Sequence, residues 1–207
     1  MTIAYPLDLL AEFPGWSTKF ELLHRQEQSR TEGGRTIVKD LGSPLWQATY
    51  QTRTLSANDL DYWRARLDLL EGGLQIFRGY PLSRARPVAY PGASALPQAV
   101  TLAALGDDNK SITLAGLPAG FQFSVGDMIE IADSGLYRVM EAASATAEGL
   151  TGPFELRPHL WPGTVTGRAV RLLRPACRMT LIPGSLSSDA DVSSGRGSLS
   201  FQAIEVR

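Results

Sequence analysis

Few side chains in this chain are equipped for chemistry. It has two histidines, His24 and His159, and one cysteine, Cys177. Zinc and nucleophile sites need such residues clustered at defined spacings, and neither histidine has a neighbour at metal-ligand spacing. His24 ends an expected strand, and His159 lies between Pro158 and Leu160 beside Trp161-Pro162, so both read as surface or structural residues. Cys177 follows Pro175-Ala176 into an expected strand, where a buried, unreactive thiol is the expectation. One cysteine also excludes an intramolecular disulfide and a multi-cysteine zinc site.

The acidic residues lead no further. Asp107-Asp108-Asn109 opens like a calcium loop, but Lys110 and Ser111 follow and the required downstream Gly and Glu are missing. A hairpin turn between Leu102 and Ile112 accounts for it. Asp59 and Asp61 suit a helix N-terminus, where the dipole favours negative charge, and Asp189 and Asp191 suit a solvated loop. The sequence contains no Gly-x-Ser-x-Gly elbow, P-loop or dinucleotide fingerprint. Gly33-Gly34 and Gly72-Gly73 read as turn and cap glycines. The expectation is a protein that is not an enzyme, with no catalytic, cofactor-binding or metal-binding residue and no cofactor.

Composition narrows the class. The chain has 207 residues, 43% of them apolar, enough for one large domain or two small ones. Its 20 Gly and 13 Pro point to many turns and short strands. A net charge of -1 gives no basic footprint for nucleic-acid binding. No apolar run approaches the roughly 20 residues of a membrane span, and Met1-Thr2-Ile3-Ala4-Tyr5-Pro6 lacks the pattern of a secretory signal. Synthesis and folding in the cytosol are expected, without membrane insertion.

The clearest elements run from Leu45 to Phe77. Trp46, Ala48 and Tyr50 alternate with Gln47, Thr49, Gln51 and Arg53, the pattern of a half-buried strand. Ser56 then caps a helix expected over residues 56–71, with Asp59 three places on in a capping-box-like arrangement. Leu60, Trp63, Leu67 and Leu70 share one face of it. Gly72-Gly73 ends it. A lone amphipathic helix in a β-rich chain must pack on a sheet, and Trp46 and Trp63 are expected to meet there.

Residues 1–16 are expected to wrap before the first strand. Short strands are expected over 19–24 and 35–40, with a polar turn or loop over 29–34 between them, and again over 74–77. Pro81, Pro87, Pro91 and Pro97, with Gly92, Ala93 and Ser94, mark a connector. Beyond it, strands are expected over 99–102, 111–114, 125–131, 135–140, 154–158 and 167–172, with a possible one in 142–149 and a hairpin turn at Ala132-Asp133-Ser134. Such a run suggests a small barrel or sandwich. Val125-Gly126-Asp127 reads as the turn leading into one of its strands. Residues 176–182 and 197–206 read as two terminal strands around a polar hairpin loop. They lack a core of their own, so they are expected to complete the first sheet.

The resulting fold class is mainly β: a β-sandwich belt domain with one flanking α-helix, plus an inserted small OB-like β-barrel. Residues 1–95 and 174–207 form the discontinuous belt, and 96–173 form the insertion. Trp16 and Trp161, beside Gly or Pro in expected loops, suit either interface anchors or packing under a loop.

This layout resembles the distal tail proteins of long-tailed bacteriophages with flexible, non-contractile tails. The resemblance rests on Trp46-x-Ala-x-Tyr leading through Ser56-x-x-Asp59 to Trp63 and Leu70-Glu-Gly-Gly. The Val125-Gly-Asp-Met-Ile-Glu-Ile/Tyr137-Arg-Val hairpin and the return from Leu172 to Val206 add to it. It implies a virion protein of the tail tip, a structural subunit whose ring, a hexamer in that family, joins the tail tube to the baseplate hub around the tape-measure protein. The tail tube protein, the hub proteins and further copies of the chain would be its partners. The loops 29–34 and 185–197 are candidates for inter-subunit or lumenal contacts. Two alternatives stand beside it: a carbohydrate-binding module, with Trp161 or Tyr137 stacking on a host glycan, and a tail tube or terminator subunit with a related sandwich.

Overall fold

The computed structural model describes residues 3–91 and 96–207. Met1, Thr2 and residues 92–95 lie outside it, and with them the expected boundary at the end of the connector. In chain order the elements are β1 (Gly15–Leu23), β2 (Gln26–Arg30), β3 (Thr36–Asp40), β4 (Leu45–Thr52), α1 (Ala57–Asp68) and β5 (Ile76–Gly79). Then follow β6 (Thr101–Leu105), β7 (Ser111–Ala115), β8 (Gln122–Phe123), β9 (Met128–Ile131), β10 (Gly135–Val139), β11 (Ala143–Ser144), β12 (Phe154–Arg157) and β13 (Val170–Arg171). The chain closes with β14 (Cys177–Leu181), β15 (Ser187–Ala190) and β16 (Gly197–Glu205). The protein is mainly β, with one α-helix among the described residues.

One sheet takes the order β1-β4-β16-β14-β5, with β15 beside β16, and every pairing is antiparallel. Its middle strand, β16, comes from the end of the chain. Register sets its two faces. The rows Thr18·Tyr50·Phe201 and Phe20·Ala48·Ala203 face the core, and Leu22 and Trp46 continue it. On the other face the rows are Ser17·Gln51·Ser200, Lys19·Thr49·Gln202 and Glu21·Gln47·Ile204. This is the period-two division a sheet covered on one side requires.

Two segments contribute to that core. Leu60, Trp63 and Leu67 of α1 are buried in it, and so are Leu7, Leu9, Leu10 and Phe13 from the segment before β1. Leu7 also makes a parallel bridge to Phe77. The helix starts as its sequence predicts: the Asp59 backbone N–H donates to Ser56 Oγ at 3.3 Å, and Ser56 Oγ donates to Asp59 Oδ2 at 2.8 Å. The expected α-helix to residue 71 ends at Asp68 and tightens into a 3-10 turn over Glu71–Gly73. Gly73 is required there: its φ is 113°, and a Cβ would lie 2.5 Å from the Leu181 carbonyl oxygen.

The second sheet, β13-β9-β10-β12-β7-β6, curls into a nearly closed six-stranded barrel. Thr101 bridges Ala169, and Val170 N–H donates to the Val100 carbonyl at 2.8 Å, so the first and last strands meet. Ile112, Leu114, Ile129, Ile131, Phe154 and Leu156 fill it. Asp127 explains the Val125-Gly126-Asp127 turn. Its carboxylate is buried and accepts from Ser124 N–H at 2.8 Å and Val88 N–H at 2.7 Å, tying the connector to the barrel.

Several expected bounds shift. The first strand begins at Gly15 rather than residue 19, because ladder bonding to Gln51 and Thr52 extends past the alternating residues. Trp16 therefore lies in a strand and not in a loop, at a bulge in the β1–β4 register. The first two residues of the expected loop 29–34 are strand, since β2 pairs with β3 from Gln26↔Asp40 to Arg30↔Thr36. The strand expected over 35–40 leaves the main sheet and forms this separate ribbon instead. The polar hairpin loop contains a strand too, β15, which pairs with Gly197–Ser200.

Candidate functional site

The residues singled out for chemistry stay apart. His24 and His159 are exposed and distant in the topology, one after β1 and the other after β12. Among the described residues, no group of three His, Cys, Asp or Glu side chains comes together to hold a metal ion. Cys177 is buried and donates its thiol to the Gly79 carbonyl at 3.7 Å. Burial, reinforced by the Glu205 carboxylate, pushes that thiol well above its usual pKa. A neutral thiol of this kind is a packing residue.

Asp107-Asp108-Asn109 forms the β6–β7 turn: Asn109 has φ 54°, and Asp108 Oδ1 accepts from Lys110 N–H at 2.9 Å. Asp191 holds the tip of the β15–β16 hairpin. Its Oδ1 accepts from Ser193 Oγ at 2.7 Å and from Ser194 N–H and Oγ at 2.8 Å, and these bonds lower its pKa to about 2. Arg64 of α1 fastens the same hairpin, with Nε donating to Ser188 Oγ at 2.7 Å. Among the described residues no helix is long and apolar enough to cross a membrane.

Where the barrel meets the sheet, Met128 of β9 and Leu136 of β10 join the sheet's core, and several polar groups bond across. The Trp46 indole N–H donates to the Leu136 carbonyl at 2.8 Å, and the Arg138 guanidinium lies 5.0 Å from the Trp46 ring centroid. Glu130 of β9 accepts from Arg78 at 2.8 Å and from Ala176 N–H at 3.0 Å. Glu205 accepts from Trp46 N–H at 3.0 Å and from Arg207 Nε at 2.9 Å. Arg207 in turn lies over the Trp161 ring at 4.6 Å. Arg78, Glu130, Ala176, Trp161, Glu205 and Arg207 line a cavity of about 360 Å³ between the sheet and the β9–β10 turn.

Trp46 and Trp63 share one core, each with its own aromatic neighbour. Trp46 tilts against Phe20 with centroids 5.1 Å apart, while Trp63 meets Phe13 edge-on at 5.3 Å. Tyr137 cannot stack on a sugar: it is fully buried, and its hydroxyl bonds Ser134 Oγ at 2.6 Å. Trp161 is 39% exposed on the cavity wall and Trp16 is 80% exposed on β1.

Sequence reasoning missed the junction residues Glu130, Leu136, Arg138 and Arg207. Glu205 did carry a signal, since it continues the core-facing alternation Leu199, Phe201, Ala203. A carboxylate in that position must have partners.

The β2–β3 ribbon is the other distinctive feature. All ten of its strand residues are exposed, including Ile37 and Val38 on its opposite faces. It continues the β1–β4 hairpin past Leu23↔Leu45, and Leu41 N–H donates to the Arg25 carbonyl at 2.8 Å across the join. No protein-family model matches this sequence, and no curated protein matches it.

Proposed function

We propose that this chain is a structural subunit of a bacteriophage tail tip, assembling with copies of itself into a ring that joins the tail tube to the baseplate hub. The observation that carries the reading is the β2–β3 ribbon, exposed on both faces. A free two-stranded ribbon is marginal in water at best, so its order calls for a partner surface. The uncovered face of the main sheet supports the same role. Its Ser, Thr and Gln rows carry the Lys19–Glu21 ion pair, 2.6 Å apart, and little apolar surface. Such a face would suit a lumen through which a tape-measure protein passes without sticking. The role requires no catalysis and no cofactor, and it places the protein in the virion.

Negative-stain images of the purified protein test this reading. Closed rings with a central hole, six-fold in the simplest case, are the expected result. Long tubes would favour a tail tube subunit.

One observation favours a second reading, a glycan-binding module: half-exposed Trp161 stands on the wall of the junction cavity. A compact monomer that binds host polysaccharide would support it and contradict the ring.

A further inference from the structure

The main sheet has an open side at β1. Among the described residues β1 pairs with β4 alone, so alternate residues along its outer edge turn their backbone groups away from the sheet, where the Phe20 carbonyl accepts from Arg138 Nη2 at 3.5 Å. The ribbon is open in the same way, since β3 pairs with β2 alone. Both features belong to one long hairpin, but they lie on opposite sides of it. β3 runs on the β4 side, so it cannot reach the outer edge of its own β1.

We infer that β3 of one copy adds as an antiparallel strand to the outer edge of β1 in a neighbouring copy. This rests on the ring reading above and names its contact. The occupant is a second copy because the side chains match in one register. Setting Lys39 opposite Glu21 also sets Ile37 opposite Leu23 on the same face, and both of these are exposed apolar residues. On the other face Val38 then meets Leu22, which is partly buried against the core. Moving β3 by two residues one way sets Lys39 against Lys19, a like-charge pair. Moving it the other way sets Lys39 against Leu23 and Ile37 against Arg25. Cross-strand pairing penalises both shifts, and a one-residue slip would turn every side chain to the wrong face. The two patches differ, so the contact is heterologous and can propagate into a ring.

Cross-linking tests the register. In a Cys177→Ala background, the Ile37→Cys chain is mixed with the Leu23→Cys chain or with the Trp16→Cys chain, and a short bis-maleimide is added. A 37–23 product is expected, with little 37–16 product, because position 16 lies about 23 Å further along β1. A charge swap supplies a second readout. Lys39→Glu or Glu21→Lys alone should weaken assembly up to about fivefold per contact, and mixing the two variants should restore it. Rings that form without the 37–23 product overturn this contact and leave the ring reading intact. A monomer at every concentration overturns both.

Discussion

The Trp46 indole N–H donates to the Leu136 carbonyl at 2.8 Å, linking the core of the six-stranded sheet to a strand of the barrel. Both residues are fully buried. Trp46→Phe keeps most of the ring volume and leaves the carbonyl without its donor, which should cost about 1–3 kcal/mol. Trp46→Ala removes the ring as well and should cost about 3–5 kcal/mol. Urea unfolding measures both. A Phe variant as stable as the parent would show that this bond does not hold the two parts together.

Glu130 and Arg78 form the second fastening, and the pair is only partly exposed. Removing one partner leaves the other charge half-desolvated, whereas removing both relieves it. Glu130→Gln and Arg78→Met should therefore be non-additive, with a coupling of about 0.5–3 kcal/mol in a double-mutant cycle. Strict additivity would mean that the two groups act independently.

Stability should fall at alkaline pH. Burial raises the pKa of Cys177 and of Tyr50, and each group is further raised by the proximity of other ionisable groups. A raised folded pKa contributes stability that is complete below the unfolded value and lost as pH rises above it. The unfolded values are about 8.5 for Cys and about 10 for Tyr, so the decline should begin near the first and steepen past the second. Cys177→Ala should flatten the first part, read as the urea midpoint against pH. An unchanged profile in that variant would contradict the assignment.

The tip of the β15–β16 hairpin should respond to acid instead. Asp191 has a pKa lowered to about 2 by bonds from Ser193 and Ser194. Its contribution is present above the unfolded value of about 4 and is lost as pH falls through the folded one. NMR should show the Ser194 amide losing its hydrogen-bonded shift over that window. Asp191→Asn should abolish the titration, and a transition near pH 4 would contradict the lowered value.

The sequence was most readable where burial is one-sided. β4 and α1 stand out because Trp46, Ala48 and Tyr50 alternate and Leu60, Trp63 and Leu67 recur at helical spacing. β2 was unreadable as a strand because Gln26-Glu27-Gln28-Ser29-Arg30 buries neither face and so carries no period. The same holds for Ser187-Ser188-Asp189-Ala190, which is held by backbone pairing and by Arg64. At the junction, the spacing of Trp46 and Leu136 along the chain says nothing about their contact. Only the docking of barrel on sheet brings indole and carbonyl together. The histidines, the cysteine and the acidic turn fall in the exposed, buried and hairpin positions that their neighbours predicted.

On the function proposed above, copies of this chain close into a ring through the β2–β3 ribbon. The most direct test is the mass in solution, by sedimentation across a concentration series, of the full chain and of a variant with residues 26–40 replaced by a short turn. A discrete closed oligomer is expected for the full chain and a folded monomer for the variant. A full chain that stays monomeric, or a variant that still forms the same oligomer, would contradict that function.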